Sequence, residues 1–182
     1  MKRLFLAAAA AALVSAPAYA ALPVGAKAPE FTAPAFQAGK PFTFDLASAL
    51  KKGPVVLYFF PAAHTAGCNL EAHLFAQAID KFHAEGATVI GVTAGHIDQL
   101  AAFSSETAHC SGKFPVVADP NAAIAKTYDA TLNMPMMQWS NRTSYVIAPD
   151  DRVLYAYSNL KPDQHIALTL AAVTKWRDAH PR

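Results

Sequence analysis

The sequence predicts an α/β fold, a three-layer α/β/α sandwich with a central mixed sheet. Three observations predict it. Short apolar runs rich in β-branched residues alternate with helix-period segments through the middle of the chain. Two of those runs, Val55 to Phe60 and Thr88 to Val92, are continuously apolar, the pattern of strands buried on both faces. Further on, two strand-like runs flank the turn Ala148-Pro149-Asp150-Asp151, which adds an antiparallel hairpin to an otherwise parallel set.

The elements follow in order. Lys2-Arg3, the apolar run Leu4 to Val14 and the triplet Ala18-Tyr19-Ala20 read as an export signal spanning residues 1–20 and cut after Ala20. The run is too short to span a bilayer, which takes about 20 apolar residues. Export to a bacterial periplasm would place the remaining single domain, residues 21–182, in an oxidising compartment. Ala21 to Lys40 is punctuated by Pro and Gly and reads as an extended lead-in. Phe42-Thr43-Phe44 alternates like a short strand, and Asp45 to Lys52 reads as a helical turn stopped by Gly53-Pro54. Cys68 to Ala84 has helical spacing, with Leu70, Leu74, Ala78 and Phe82 on one stripe, Phe75 and Ile79 beside it, and Gly86 as the stop. Ile97 to His109 reads as a helix ended near Gly112. Phe114 to Ala118 reads as a strand, and Asp119-Pro120-Asn121 as the start of a helix reaching about Tyr128. Ser144 to Ile147 and Val153 to Tyr157 are the hairpin strands. Pro162-Asp163 opens a final amphipathic helix to about Trp176.

Composition narrows the function. The chain has 182 residues, 53% apolar and 15% charged, enough to bury a core and unlike a disordered segment. With Lys2 and Arg3 removed, basic and acidic side chains balance, and no block of like charge exists. That argues against a nucleic-acid partner and against a charged membrane surface. Two cysteines are too few for a disulfide scaffold or a four-thiolate zinc site.

The informative stretch is Phe60-Pro61-Ala62-Ala63-His64-Thr65-Ala66-Gly67-Cys68-Asn69-Leu70-Glu71. A buried strand ends, a loop follows, and a cysteine sits where a helix begins. Free amide N–H groups and the helix dipole there favour a thiolate, the reactive form. Thr65 lies one turn earlier and places a hydroxyl near the sulfur or caps the helix. Pro61 shields the pocket without offering a competing N–H.

The pattern Pro61-x-x-x-Thr65-x-x-Cys68 resembles the active-site motif of the peroxiredoxin family (AhpC/TSA-type redoxins). The likeness continues through Val55 to Phe60, Val89 to Val92, Phe114 to Pro120 and Arg142-Thr143-Ser144-Tyr145-Val146-Ile147, and runs from about Val24 to Trp176, nearly the whole mature chain. It is greatest to the bacterioferritin-comigratory, or peroxiredoxin Q, subfamily. The resemblance implies a thioredoxin-like fold and a peroxidase with no bound cofactor and no metal. It implies that the Cys68 thiolate attacks a peroxide and becomes a sulfenic acid, in a periplasmic enzyme supplied by a thiol reductant of thioredoxin-like type. Arg142 and the amides of Gly67 and Cys68 would stabilise the negative charge, and Thr65 would hold the peroxide in line. Glu71 would orient Arg142 or merely complement the helix dipole. Relatives include monomers and homodimers.

The chain departs from the subfamily pattern at one point. Many relatives carry a resolving cysteine five residues after the first, where this chain has His73. The other cysteine is Cys110, near the end of the predicted second helix, where some relatives place the resolving thiol. Two readings stay open: Cys110 resolves the sulfenic acid after local unwinding, or it is structural and an outside thiol resolves Cys68. His64, His73 and His109 flank the cysteines as thiol-tuning or solvated groups. The cluster Met134-Pro135-Met136-Met137, with His64, Cys68 and His73, supports a second class of function, a copper-binding protein on the same fold. A general thiol–disulfide redox protein is a third reading, weakened by the missing Cys-x-x-Cys.

Overall fold

The structure is a computed structural model that describes residues 21–134 and 137–181. The export-signal reading of residues 1–20 and the centre of the methionine cluster lie outside the described residues. Nine strands are present among them: β1 Thr32–Gln37, β2 Lys40–Asp45, β3 Val55–Phe59, β4 Thr88–Thr93, β5 Val116–Ala118, β6 Thr131–Met134, β7 Met137–Ser140, β8 Thr143–Ile147 and β9 Val153–Ser158. Five α-helices join them: α1 Leu46–Leu50, α2 Ala66–Ala84, α3 Leu100–Ser105, α4 Ala123–Thr127 and α5 His165–Ala179. Seven strands form one sheet in the order β2-β1-β5-β4-β3-β8-β9, and β6 pairs β7 in a separate ribbon. β3, β4 and β5 run parallel, while β1–β2, β1–β5, β3–β8 and β8–β9 are antiparallel. The expected thioredoxin-like mixed sheet is therefore what forms. No helix among the described residues is long and apolar enough to cross a membrane.

The layers follow from the strand alternation. On β3, Val55, Leu57 and Phe59 face one core with α1 and α4, while Val56 and Tyr58 face the other with α2, α3 and α5. Every residue of β3 is buried, as its continuous apolar run requires. Cys68 and Cys110 both lie in the second core.

The lead-in departs from expectation. Thr32–Gln37 is a strand, paired along its whole length with β2 and at Ala35 and Phe36 with β5. Pro34 hides it in the sequence, yet Pro34 lies beyond the reach of the short β5, so its missing N–H breaks no ladder on that side. The ribbon of β6 and β7 was likewise not expected.

Helix α2 is rotated from the predicted stripe. Its buried residues are Cys68, Glu71, Ala72, Phe75, Ala76, Ile79 and Phe82, whereas Leu70 is 48% exposed. A buried glutamate anchors this face, and apolar spacing alone cannot show it. The second predicted helix is also shorter. A 3-10 turn at Ile97–Gln99 leads into α3, which ends at Ser105. Glu106 is extended there, and the chain folds back through Ser111 (φ 54°), with Gly112 N–H on Ser104 O at 2.8 Å. Cys110 therefore sits in a turn beyond α3, not on it. The helix expected from Asp119 is cut to α4 by left-handed Asn121 and Ala122, and Asp119 accepts the N–H groups of Ile124 and Ala125 instead. The final helix starts at His165 rather than Pro162.

Candidate active site

The chain leaves β3 through Phe60-Pro61 into a loop fastened by the end of β4. Thr93 Oγ1 donates to Pro61 O at 3.0 Å, and His96 Nδ1 donates to Ala63 O at 2.8 Å. Ala62 bridges to Gly95, where an added Cβ would lie 2.5 Å from Pro61 O, so only glycine allows this approach. The loop delivers Thr65 to the N-cap of α2 and Cys68 to its first turn, 1% exposed.

Thr65 corrects one expectation. It occupies the N-cap position, but its side chain does not cap the helix; Oγ1 donates to Ala62 O at 3.0 Å. The oxygen keeps lone pairs free to accept another hydrogen. The first amides of α2 remain uncapped by a side chain, and with the helix dipole they favour an anion at Cys68.

Arg142 reaches the same point from the entrance to β8. Its backbone N–H donates to Asn141 Oδ1 at 2.8 Å, while Asn141 Nδ2 donates to Ser158 Oγ at 3.2 Å. The guanidinium is buried and used on three sides. Nε donates to Leu160 O at 2.8 Å, Nη1 to Glu71 Oε2, and Nη2 to Cys68 Sγ at 3.4 Å. A planar fork with fixed donors suits this task as a lysine would not. Gly67 leaves room for it: a Cβ there would lie 3.1 Å from Arg142 Nη2.

A polar layer backs the arginine. Glu71 is fully buried, and burial pushes its carboxyl up to about 8 against the pull of Arg142. Glu71 Oε1 has no hydrogen-bond partner and lies 3.6 Å from His165 Nδ1. That ring lies 2.7 Å from Ser144 Oγ through Nδ1 and 2.9 Å from Asn159 O through Nε2. A carbonyl only accepts, so Nε2 carries the proton and Nδ1 accepts from Ser144. Burial pushes His165 down to about 4, which keeps it neutral. Sequence reasoning missed Asn141, Ser144 and His165 as parts of the site. The only signal was a histidine opening a largely apolar helix, which is common without function.

Of the predicted residues, Cys68, Arg142 and Glu71 meet in direct contact, with Thr65 and Pro61 on the loop before them. Cys110 is a free, fully buried thiol, as Cys68 is free. Burial, with Glu106 adding to it, pushes the Cys110 thiol well up. His73 Nε2 meets Gln77 on its own helix, at 3.0 Å. His64 and His109 both turn to Glu106. His64, Cys68 and His73 do not come together as ligands: among the described residues no group of three potential His, Cys, Asp or Glu ligands includes Cys68.

A buried thiol at an uncapped helix start, held by a guanidinium on a thioredoxin-like sheet, defines a thiol-redox protein. The chain belongs to the AhpC/TSA family, whose model matches residues 24–156. A putative peroxiredoxin of Mycobacterium tuberculosis is 28% identical over 147 residues, 79% of this chain and 89% of that protein. The chloroplastic peroxiredoxin Q of Oryza sativa subsp. japonica is 31% identical over 124 residues, covering 68% of this chain but 55% of that protein. Among solved structures, peroxidoxin BcpB of M. tuberculosis matches with a TM-score of 0.73 and 28% identity, over 84% of this chain and 96% of that one. The bacterioferritin comigratory protein of Xanthomonas campestris shares the fold, with a TM-score of 0.68 at 23% identity over 79% of this chain and 91% of that one.

Proposed function

We propose that Cys68 is the peroxide-reducing group of this chain, with Arg142, Thr65, Pro61 and the first amides of α2 as its active site. The chain is a thiol-dependent peroxidase of the peroxiredoxin type. The observation that carries the residue assignment is the contact of Arg142 Nη2 with Cys68 Sγ at a helix start that no side chain caps. The Cys68 thiolate attacks one oxygen of the peroxide. The O–O bond breaks, sulfur becomes a sulfenic acid, and the distal oxygen leaves as hydroxide or alkoxide and takes a proton from solvent. Arg142 and the amides face the charge as it spreads from sulfur onto oxygen. Thr65 Oγ1, already donating to Ala62 O, accepts a hydrogen bond from the peroxide O–H and aligns the O–O bond.

In the second step, Cys110 attacks the sulfenic sulfur, a disulfide forms and water leaves. A thioredoxin-like thiol then returns both cysteines to the reduced state. Both thiols are buried in one core, so the turn carrying Cys110 has to open first. The enzyme acts after export to the periplasm, as a monomer or homodimer, on hydrogen peroxide or organic hydroperoxides. Intact mass with thiol labelling after one equivalent of hydrogen peroxide tests the cycle. Loss of about 2 mass units and of both thiols supports the disulfide, whereas a gain of about 16 units on Cys68 alone assigns resolution to an outside thiol. A chain that gains no oxygen and keeps both thiols overturns the peroxidase assignment of Cys68.

A further inference from the structure

Beyond the peroxide site, a second polar cluster lies on the loop and turn that carry the cysteines. His64 precedes Thr65, and His109 precedes Cys110. Both converge on one carboxylate oxygen: Glu106 Oε2 is 3.1 Å from His64 Nε2 and 2.7 Å from His109 Nδ1. The three potential ligand atoms lie within 4.8 Å of one another. A tetrahedral zinc ion with bonds of about 2.0–2.1 Å holds its ligand atoms roughly 3.3 Å apart. The cluster is therefore already near coordination spacing.

We propose that His64 Nε2, Glu106 Oε2 and His109 Nδ1 bind a divalent transition ion of the zinc type, with a water in the fourth position. Two independent features point to a ligand. His109 is 8% exposed, and its Nδ1 makes no well-formed hydrogen bond although Glu106 Oε2 lies 2.7 Å away. A buried nitrogen left without a partner is costly and calls for one. His64 Nε2 is hydrogen-bonded to Glu106 Oε2 at 3.1 Å and Nδ1 lies 2.7 Å from Gln99 Oε1, so with the proton held on Nδ1 the Nε2 lone pair is left for an ion beside Glu106. Outer-sphere acceptors of this kind orient metal-bound imidazoles. A proton serves the contact between His64 Nε2 and Glu106 in the resting cluster, and a cation would take its place.

The donor set selects the ion. Two imidazoles and one carboxylate suit zinc and its neighbours, not calcium or magnesium, which prefer oxygen alone. No sulfur belongs to the cluster, so copper(I) is disfavoured. Glu106 is 43% exposed at its side chain, which opens the fourth position to water. The bound ion would tie the loop before Cys68 to the turn that holds Cys110.

The test uses the chain with Cys68→Ser and Cys110→Ser, which removes thiolate binding, and cobalt(II) or zinc(II) alone as the probe. The expected result is one ion per chain by calorimetry, with the intense visible absorption of four-coordinate cobalt. Glu106→Gln, at an exposed position, should weaken binding at least about tenfold, as should His109→Asn in a chain whose circular dichroism is unchanged. Binding that survives both substitutions, or none at about 100 μM metal, far above the dissociation constants of built sites, overturns the proposal.

Discussion

The two cysteines share a core and an almost identical burial, yet the fold gives them opposite surroundings. Cys68 is 1% exposed and Cys110 0%. Cys68 lies in the first turn of α2, against uncapped amides and the Arg142 guanidinium. Cys110 lies in a turn, in apolar surroundings, with the carboxylate of Glu106 nearby, and its thiol is pushed well up. Burial alone therefore says nothing about reactivity. What decides is whether positive charge and free donors were buried along with the sulfur.

The largest expected effect breaks the comparison outright. Cys68→Ser should slow peroxide reduction by about a thousandfold or more, because a hydroxyl is a far weaker nucleophile toward peroxide than a sulfur. Circular dichroism should stay unchanged, and residual peroxide consumption at the parent rate would refute the assignment.

Next comes the polar layer found only behind Cys68. His165 is neutral in the fold at about 4 but takes a proton near 6.5 once unfolded. Its contribution is full above pH 6.5 and is lost as pH falls toward 4, because the unfolded chain then binds the extra proton. The shift corresponds to roughly 3 kcal/mol. Glu71, raised by burial, gives the opposite slope in part of this window. The effect is therefore read as the difference in urea-unfolding stability between the parent and His165→Gln. A difference that does not change between pH 7 and pH 4.5 would show that His165 is not held neutral.

The guanidinium comes third. Arg142→Lys keeps the charge but cannot reach Leu160 O, Glu71 and Cys68 Sγ together. Removing a donor aimed at developing charge costs about a hundredfold. Stopped-flow oxidation of Cys68 by peroxide measures it. Gly67→Ala is gentler. The new Cβ would meet Arg142 Nη2 at 3.1 Å, so the guanidinium must move by a few tenths of an ångström. About a tenfold slower oxidation is expected, while the helix gains up to about 1 kcal/mol from losing a glycine. A stabilised chain with reduced rate separates positioning from folding.

Much of this arrangement was legible in the sequence because it is local. The apolar run of β3, the loop and Cys68 at the start of α2 are contiguous, and the parallel strands follow from their spacing. What stayed hidden depends on long-range partners. The pairing of Glu71 with Arg142 was within reach of the family resemblance, but the complete burial of Glu71, which turns α2 away from the Leu70 stripe, was not. Ser144 and His165 look like ordinary strand and helix residues until β8 and α5 pack together. Pro34 masked β1 because the sequence does not tell how short β5 is. The turn after α3 was hidden for a related reason: Ser111 has no glycine-like signal, yet the backbone reverses there.

The smallest expected effect is the sharpest test of the comparison. If Cys110 has no part in activating Cys68, Cys110→Ser should leave the first oxidation step within about twofold of the parent. The fold should lose about 1–3 kcal/mol, because a hydroxyl replaces a thiol in an apolar site without a guaranteed hydrogen-bond partner. The sulfenic acid on Cys68 should then persist, since no second thiol in the chain can take it. Trapping with dimedone after a single turnover reads that directly. Strong labelling in Cys110→Ser, against weak labelling in the parent, assigns Cys110 its part through motion of its turn rather than through its resting environment. Equal labelling in both chains means that Cys110 serves only the core, and that the two cysteines differ in purpose as well as in chemistry.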